Sequence, residues 1–155
     1  MFLDFDDYKA VSDPQSLDII SQSDSDNLQR AERYAIEEIS GYLRAAKTTA
    51  QATGLAPVRI YDVEATFAAT GADRNAQLVM YCCDVALYHL VSWLPKRIGF
   101  EIRKERYERA IKWLESVQAG NVLLNIPFVP MPSPEEQAAQ NPLRYGSMEP
   151  AVYDY

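Results

Sequence analysis

The side chains best suited to nucleophilic catalysis are two cysteines and one histidine. Cys82 and Cys83 are the only cysteines in the chain, and His89 is its only histidine. All three fall in one apolar stretch that is predicted to be helical, so Cys82 and His89 lie about 10 Å apart along the axis. That separation is too large for a thiol–imidazole dyad on one helix. We therefore expect His89 to be a core or interface histidine with one hydrogen bond.

An acidic loop is the pattern most similar to a metal site. Asp24 and Asp26 resemble the start of a calcium-binding loop, but Gln29 stands where such a loop needs glycine and Ala35 where it needs glutamate. Helix capping explains these acids better. The sequence also has no nucleophile elbow, zinc-protease, phosphate-loop or dinucleotide motif. We expect neither enzymatic activity, nor a metal, nor a cofactor.

Charge is distributed in blocks along the chain. Residues 1–27 contain seven Asp and one Lys, whereas residues 96–112 contain seven basic and three acidic residues. The candidate interface residues of the basic block are Lys96, Arg97, Arg103, Lys104, Arg106 and Arg109, and those of the acidic block are Asp4, Asp6 and Asp7. These blocks are either solvated faces, or opposite surfaces that meet between copies, or in the basic case phosphate contacts in a DNA channel. Solvated faces are the commonest explanation of such blocks, and of the two functional roles we favour contact between subunits over contact with DNA.

Composition limits the class of protein. The chain has 155 residues, a net charge of -7 and 48% hydrophobic residues, which is typical of one globular domain. The acidic balance argues against a general nucleic-acid binder. No apolar run approaches the ~20 residues of a membrane helix, so we expect no membrane contact. Two free thiols suit a reducing compartment such as a cytoplasm.

Apolar periodicity predicts a mainly α fold, a small bundle of three main helices. The first main helix follows residue 27 with an Ala31–Ala35–Ile39 stripe, and Glu32 is expected on its polar side. The second, from about 77 to 94, is apolar almost all round and therefore central, with Asp73 as its candidate cap. The third spans about 101–119 and ends before Gly120.

Two further regions complete the predicted organisation. Short N-terminal helices are expected, one of them starting at Asp13–Pro14. Residues 57–63 are β-branched and alternate, which suggests a strand or hairpin arm whose return is residues 66–71. We predict that this β-hairpin insertion near 57–70 lies within one helical domain, residues 1–126.

Residues 127–155 have a different composition from the domain before them. Six of the nine prolines lie between 127 and 150, which excludes a regular helix. The segment still carries more apolar side chains than a plain disordered tail. We predict an extended arm that packs on a neighbouring subunit. Its predicted contact residues are Phe128, Met131, Leu143, Tyr145 and Tyr153.

The order of the motifs resembles the Mu-like family of phage head–tail connector, or head completion, proteins. The residues that carry the resemblance are FDDYK at 5–9, LDII at 17–20, AIEEISGYL at 35–43, RYERAIKWL at 106–114 and Ala119–Gly120. The resemblance covers about residues 1–126. The chain departs from the family pattern in a longer link between the first two main helices and in the Pro- and Tyr-rich tail.

The resemblance implies a structural role in the virion. Such proteins form a ring below the portal that extends the DNA channel and docks the tail. The implied partners are other copies in a ring of about twelve, the portal protein, tail or neck proteins and, non-specifically, packaged DNA. The implied location is the neck of the virion, after assembly in the host cytoplasm.

Two other functions are compatible with the sequence. A non-viral helical adaptor that binds one protein partner would share the helical core but would form a monomer or a dimer. A small hydrolase or transferase would depend on Cys82 or Cys83, and thiol alkylation would inactivate it.

Overall fold

A computed structural model describes residues 1–44, 46, 60–93 and 99–130. Within these ranges the chain is mainly helical, as predicted. The helices are α1 (Phe5–Val11), α2 (Pro14–Ser21), α3 (Ser25–Arg44), α4 (Val63–Ala68), α5 (Ala76–Ser92) and α6 (Phe100–Gln118), with one 3₁₀ turn at Gly71–Asp73. No described helix combines the length and apolarity needed to cross a membrane.

The short N-terminal helices are confirmed. Asp13 caps α2 by accepting the Ser16 backbone N–H at 3.0 Å, and Pro14 occupies the first turn. Leu17 and Ile20 of α2 are buried, as their one-turn spacing predicts.

The predicted apolar stripe of α3 is confirmed. Ala31, Ala35, Ile39 and Leu43 are completely buried at a spacing of four residues. Glu32 was expected on the polar side, but it is only 3% exposed. The expectation was wrong because the N-terminal segment covers this position. Oε1 of Glu32 accepts the backbone N–H groups of Phe2 and Leu3 at 2.8 and 3.0 Å.

Helix α5 is the central element, as its apolar composition predicts. It packs against α1, α2, α3 and α6. Its N-cap is Asn75 rather than Asp73, since Oδ1 of Asn75 accepts the Leu78 N–H at 3.0 Å. Its buried residues extend from Leu78 to Val91, so the helix is covered along most of its length.

Helix α6 covers one side of α5 and ends as predicted. Ala110, Leu114 and Val117 are fully buried, and Tyr107 and Ile111 are half-buried beside them. Gly120 follows the helix with φ of 81°, a left-handed conformation that glycine adopts without strain.

The predicted β-hairpin is not what the described residues form. Residues 57–59 lie outside the described residues, and the proposed return strand is the helix α4. Oδ1 of Asp62 accepts the Ala65 N–H at 2.8 Å, so the helix starts directly after Tyr61. Tyr61 makes one isolated antiparallel bridge with Phe128, which explains the strand-like sequence at 60–62.

Candidate functional site

Two residues of the predicted basic block are held inside the subunit. Lys96 and Arg97 lie outside the described residues. The Arg103 guanidinium donates to the Val11 carbonyl at 3.2 Å and to the Ser12 hydroxyl at 2.7 Å, and burial lowers its pKa. Nε of Arg106 donates to Oδ1 of Asp84 at 2.6 Å. These two arginines therefore link α6 to α1 and to α5.

The other two described residues of the basic block face solvent. Nζ of Lys104 lies 3.9 Å from a carboxylate oxygen of Glu108, and the Arg109 guanidinium lies 3.6 Å from one of Glu105. Exposed pairs of this kind contribute little to stability. Lys104 and Arg109 thus remain able to contact another subunit or DNA, and that role stays a prediction.

The acidic block is also partly used within the subunit. Arg74 donates to Asp7 at 2.5 Å and lies 3.4 Å from Asp4, while Lys9 pairs with Asp6 at 2.6 Å. Arg74 also donates to the Phe2 carbonyl at 2.6 Å. Arg74 therefore fixes the N-terminal segment to the start of α5. In the sequence, Arg74 lies between the acidic and the basic block.

The first residues of the predicted arm pack on the subunit that carries them. Phe128 stacks on Tyr61 with ring centroids 5.0 Å apart, and the Val129 N–H donates to the Ile60 carbonyl at 2.8 Å. Residues 127–129 therefore pack on their own subunit. The other predicted arm contacts, Met131, Leu143, Tyr145 and Tyr153, lie outside the described residues.

The two thiols are poorly placed for nucleophilic chemistry. Cys82 and Cys83 are both buried, and burial raises the pKa of each thiol well above its ordinary value. No cluster of potential metal ligands occurs among the residues that the structure describes.

His89 is part of a half-buried polar cluster that joins the three main helices. Its Nε2 lies 2.8 Å from Oε2 of Glu38, and the Tyr107 hydroxyl donates to Oε1 of Glu38 at 2.6 Å. Tyr88 stacks on Tyr107 with ring centroids 4.1 Å apart. The predicted single hydrogen bond of His89 is confirmed, and the Glu38 carboxylate ties α3 to both α5 and α6.

Glu38 makes stability depend on pH in the acid range. The hydrogen bonds with His89 and then Tyr107 hold the pKa of Glu38 below its ordinary value of 4.5. A lowered pKa in the folded state contributes stability that is complete above pH 4.5 and is lost as pH falls through the lowered value. Thermal melts of Glu38→Gln should show a lower midpoint than the wild type near neutral pH. The difference should shrink on acidification.

The control for this prediction is Glu37→Gln on the exposed side of α3, which should melt close to the wild type. A Glu38→Gln deficit that stayed constant down to about pH 2 would contradict the linkage.

An exposed patch that we call the α3 face was not singled out by sequence. It consists of Arg30, Arg33, Tyr34 and Trp93. Tyr34 is 50% exposed and Trp93 41% exposed, and their rings meet edge to face with centroids 5.8 Å apart. Arg30 and Arg33 are exposed on the same helix. Both arginines lie off the Ala31–Ala35 stripe, so their exposure could be predicted from the sequence. The contact of Tyr34 with Trp93 could not, because Trp93 comes from the end of another helix.

A second exposed patch, which we call the α2 face, lies between α2 and the start of α6. It consists of Asp13, Asp18, Ile19 and Ile102. Ile19 is 57% and Ile102 65% exposed, and both line one shallow depression together with Asp13. The two faces differ in chemistry: one combines arginine with aromatic rings, the other aspartate with aliphatic side chains.

Comparison with known proteins shows a similarity between part of the chain and a phage protein family. Residues 72–141 match the family model described as Bacteriophage Mu, Gp36. The match contains α5 and α6 and covers less than half of the 155 residues. It supports a Mu-like phage protein with a role in phage structure or assembly. The comparisons with curated proteins and with solved structures gave no match.

The matched segment contains much of the polar architecture described above. Asp84, Arg106, His89 and Tyr107 all lie within it, as do Lys104 and Arg109 of the basic block. The arginines of the α3 face and all of the α2 face except Ile102 lie before the matched segment.

Proposed function

We propose that the chain is a structural subunit of the phage head–tail connector. The observation that carries the proposal is the match of residues 72–141 to the Bacteriophage Mu, Gp36 family. The order of the motifs at 5–43 and 106–114 supports it, because it extends the resemblance over the N-terminal helices. In this role the subunits form a ring below the portal, extend the DNA channel and dock the tail. The role requires no cofactor and no catalysis.

Ring formation places a physical demand on each subunit. A closed ring needs a head-to-tail interface, in which two different surfaces of the same chain meet. The Arg- and aromatic-rich α3 face and the Asp- and Ile-rich α2 face provide two unlike surfaces. We propose a ring of about twelve copies, with the portal protein on one side and tail or neck proteins on the other.

Fewer residues of the basic block are free to contact DNA or a neighbouring subunit than the block contains. Arg103 and Arg106 are used inside the subunit, so Lys104 and Arg109 are the described cations of the block that can contact packaged DNA or a neighbour. A few exposed cations suit a channel through which DNA must slide, because each neutralised phosphate adds affinity. The part of the predicted arm outside the described residues, 131–155, is proposed to lie on a neighbouring subunit.

The proposal is tested by locating the chain in phage particles that contain it. Cryo-electron microscopy should show its helices in a ring on the portal–tail axis. Particles produced without the chain should have DNA-filled heads that lack tails or lose their DNA. A position on the capsid shell or tail fibre, or absence of the chain from the particle, would contradict the proposal.

A further inference from the structure

We propose that the α3 face of one copy binds the α2 face of a second copy, through Arg–Asp contacts around an aromatic–aliphatic centre. The inference rests on the proposed function, since it names the two surfaces that join neighbouring subunits.

The α3 face has the composition of an interface centre. Trp, Tyr and Arg are the residue types that contribute most to binding at protein interfaces. Tyr34 and Trp93 hold each other edge to face, so little side-chain entropy is lost when a partner covers them. Within the described part of the chain, neither Arg30 nor Arg33 has a side-chain hydrogen bond or an ion pair. Both guanidinium groups are therefore available to a partner.

The hydrogen-bonding groups of the α3 face identify the kind of partner. Exposed Asp26 and Glu37 lie one turn before Arg30 and one turn after Arg33, so the net charge of α3 does not select the partner. The two unpaired guanidinium groups do, because they need acceptors when they are covered and therefore fit a surface that carries carboxylates. That surface must also be partly apolar, because the two rings need contacts that exclude water.

The α2 face of a second copy meets both requirements. Ile19 and Ile102 are large aliphatic groups that are more than half exposed, and Asp18 lies directly beside Ile19. Asp13 adds a second carboxylate to the α2 face, and it lines the depression together with Arg103, whose guanidinium is already bonded to the Val11 carbonyl and the Ser12 hydroxyl. Arginine donates two parallel hydrogen bonds to a carboxylate, so Arg–Asp pairs around the apolar centre would also set the orientation of the contact.

The experiment uses two full-length variants that reverse one face each. The first carries Arg30→Glu and Arg33→Glu. The second carries Asp18→Arg and Ile19→Arg, and it leaves Asp13 in place because that carboxylate caps α2. All four positions are exposed, so both variants should keep the wild-type circular dichroism spectrum. Self-association is measured by sedimentation equilibrium up to millimolar protein.

Each variant alone should bring like charges together at the contact. The dissociation constant for self-association should then rise at least about tenfold. An equimolar mixture of the two should associate again, because the acidic α3 face of one variant meets the basic α2 face of the other. Lys112→Glu, a charge reversal at an exposed position of α6 that belongs to neither face, should leave the wild-type constant within about threefold.

The outcomes separate this inference from the proposed function. A wild-type chain that stays monomeric at millimolar concentration, variants that associate normally, or a mixture no better than its components would each overturn the contact. An Arg30/Arg33 variant that lost binding to duplex DNA but kept its self-association would also overturn it. A ring seen in particles together with such results would leave the proposed function intact. A closed dimer that obeys the charge exchange would keep the contact and contradict the ring.

Discussion

Replacing Arg106 with alanine is expected to lower the free energy of unfolding by about 3–5 kcal/mol. The carboxylate of Asp84 lies inside the bundle with its side chain 4% exposed, and Nε of Arg106 is 2.6 Å from it. Burial raises the pKa of Asp84 even with Arg106 present, so its charged form is costly in this position. Without Arg106 the protein must hold an uncompensated charge or protonate Asp84. Urea unfolding followed by circular dichroism measures the loss.

Arg109→Ala provides the matched control on the same helix. Its side chain is 62% exposed and pairs only with Glu105 at 3.6 Å, so its loss should cost less than about 1 kcal/mol. A double variant, Asp84→Ala with Arg106→Ala, should be more stable than Arg106→Ala alone, because the unpaired charge is gone. Equal losses for Arg106→Ala and Arg109→Ala would show that Arg106 acts as a surface residue.

The Arg106–Asp84 pair limits the choice of residues that can test the predicted basic interface. Reversing Arg103 or Arg106 would damage the subunit itself, since both bond to groups inside it. A loss of assembly in such variants would therefore say nothing about contacts between copies. Lys104 and Arg109 are the described residues of the block whose reversal leaves the fold in place.

The helices could be predicted because their signals are local. The Ala31–Ala35–Ile39 stripe reports one buried face of α3, and the apolar composition of α5 reports burial on several sides. The cap of α2 at Asp13–Pro14 and the left-handed end of α6 at Gly120 depend only on nearby backbone geometry. These features follow from spacing within a few residues.

The region at 60–71 was mispredicted because two local signals compete there. Alternating β-branched residues favour a strand, whereas Asp62 caps a helix that begins at Val63. After residue 62 the cap prevails, and the chain forms a helix instead of a strand. The strand-like residues before it are used differently, since Tyr61 pairs with Phe128 from the end of the domain. That pairing depends on tertiary structure and has no local sequence signal.

Charge partners could not be predicted from charge blocks for the same reason. Arg74 and Asp7 are 67 residues apart, and Arg106 and Asp84 are 22 apart. The sum of charges over a segment gives the field around it but not which group is buried beside which. Asp84 lies in a mostly apolar helix and Arg74 lies before that helix, so neither residue belongs to a charge block. The two exposed faces also depend on neighbours from separate helices.

Glu32 provides the second large expected effect, and it separates hydrogen bonding from charge. One carboxylate oxygen of Glu32 accepts the backbone N–H groups of Phe2 and Leu3 at 2.8 and 3.0 Å. The side chains of Phe2 and Leu3 are themselves buried, so the N-terminal segment belongs to the core. Glu32→Ala leaves two buried donors without an acceptor, and each costs about 1–3 kcal/mol. The expected total loss of unfolding free energy is about 2–6 kcal/mol.

Glu32→Gln should retain most of this stability. The amide oxygen can accept the same two N–H groups, and the second carboxylate oxygen, which is buried, has no partner among the described residues. Removing a buried charge also removes its desolvation cost, so the loss should stay below about 1 kcal/mol. Amide hydrogen exchange gives an independent measurement, because protection at Phe2 and Leu3 should fall in the alanine variant and persist in the glutamine variant. Glu37→Ala, exposed on the same helix, should match the wild type in both measurements. A glutamine variant as unstable as the alanine variant would mean that the charge of Glu32, rather than its acceptor oxygen, holds the N-terminal segment on the bundle.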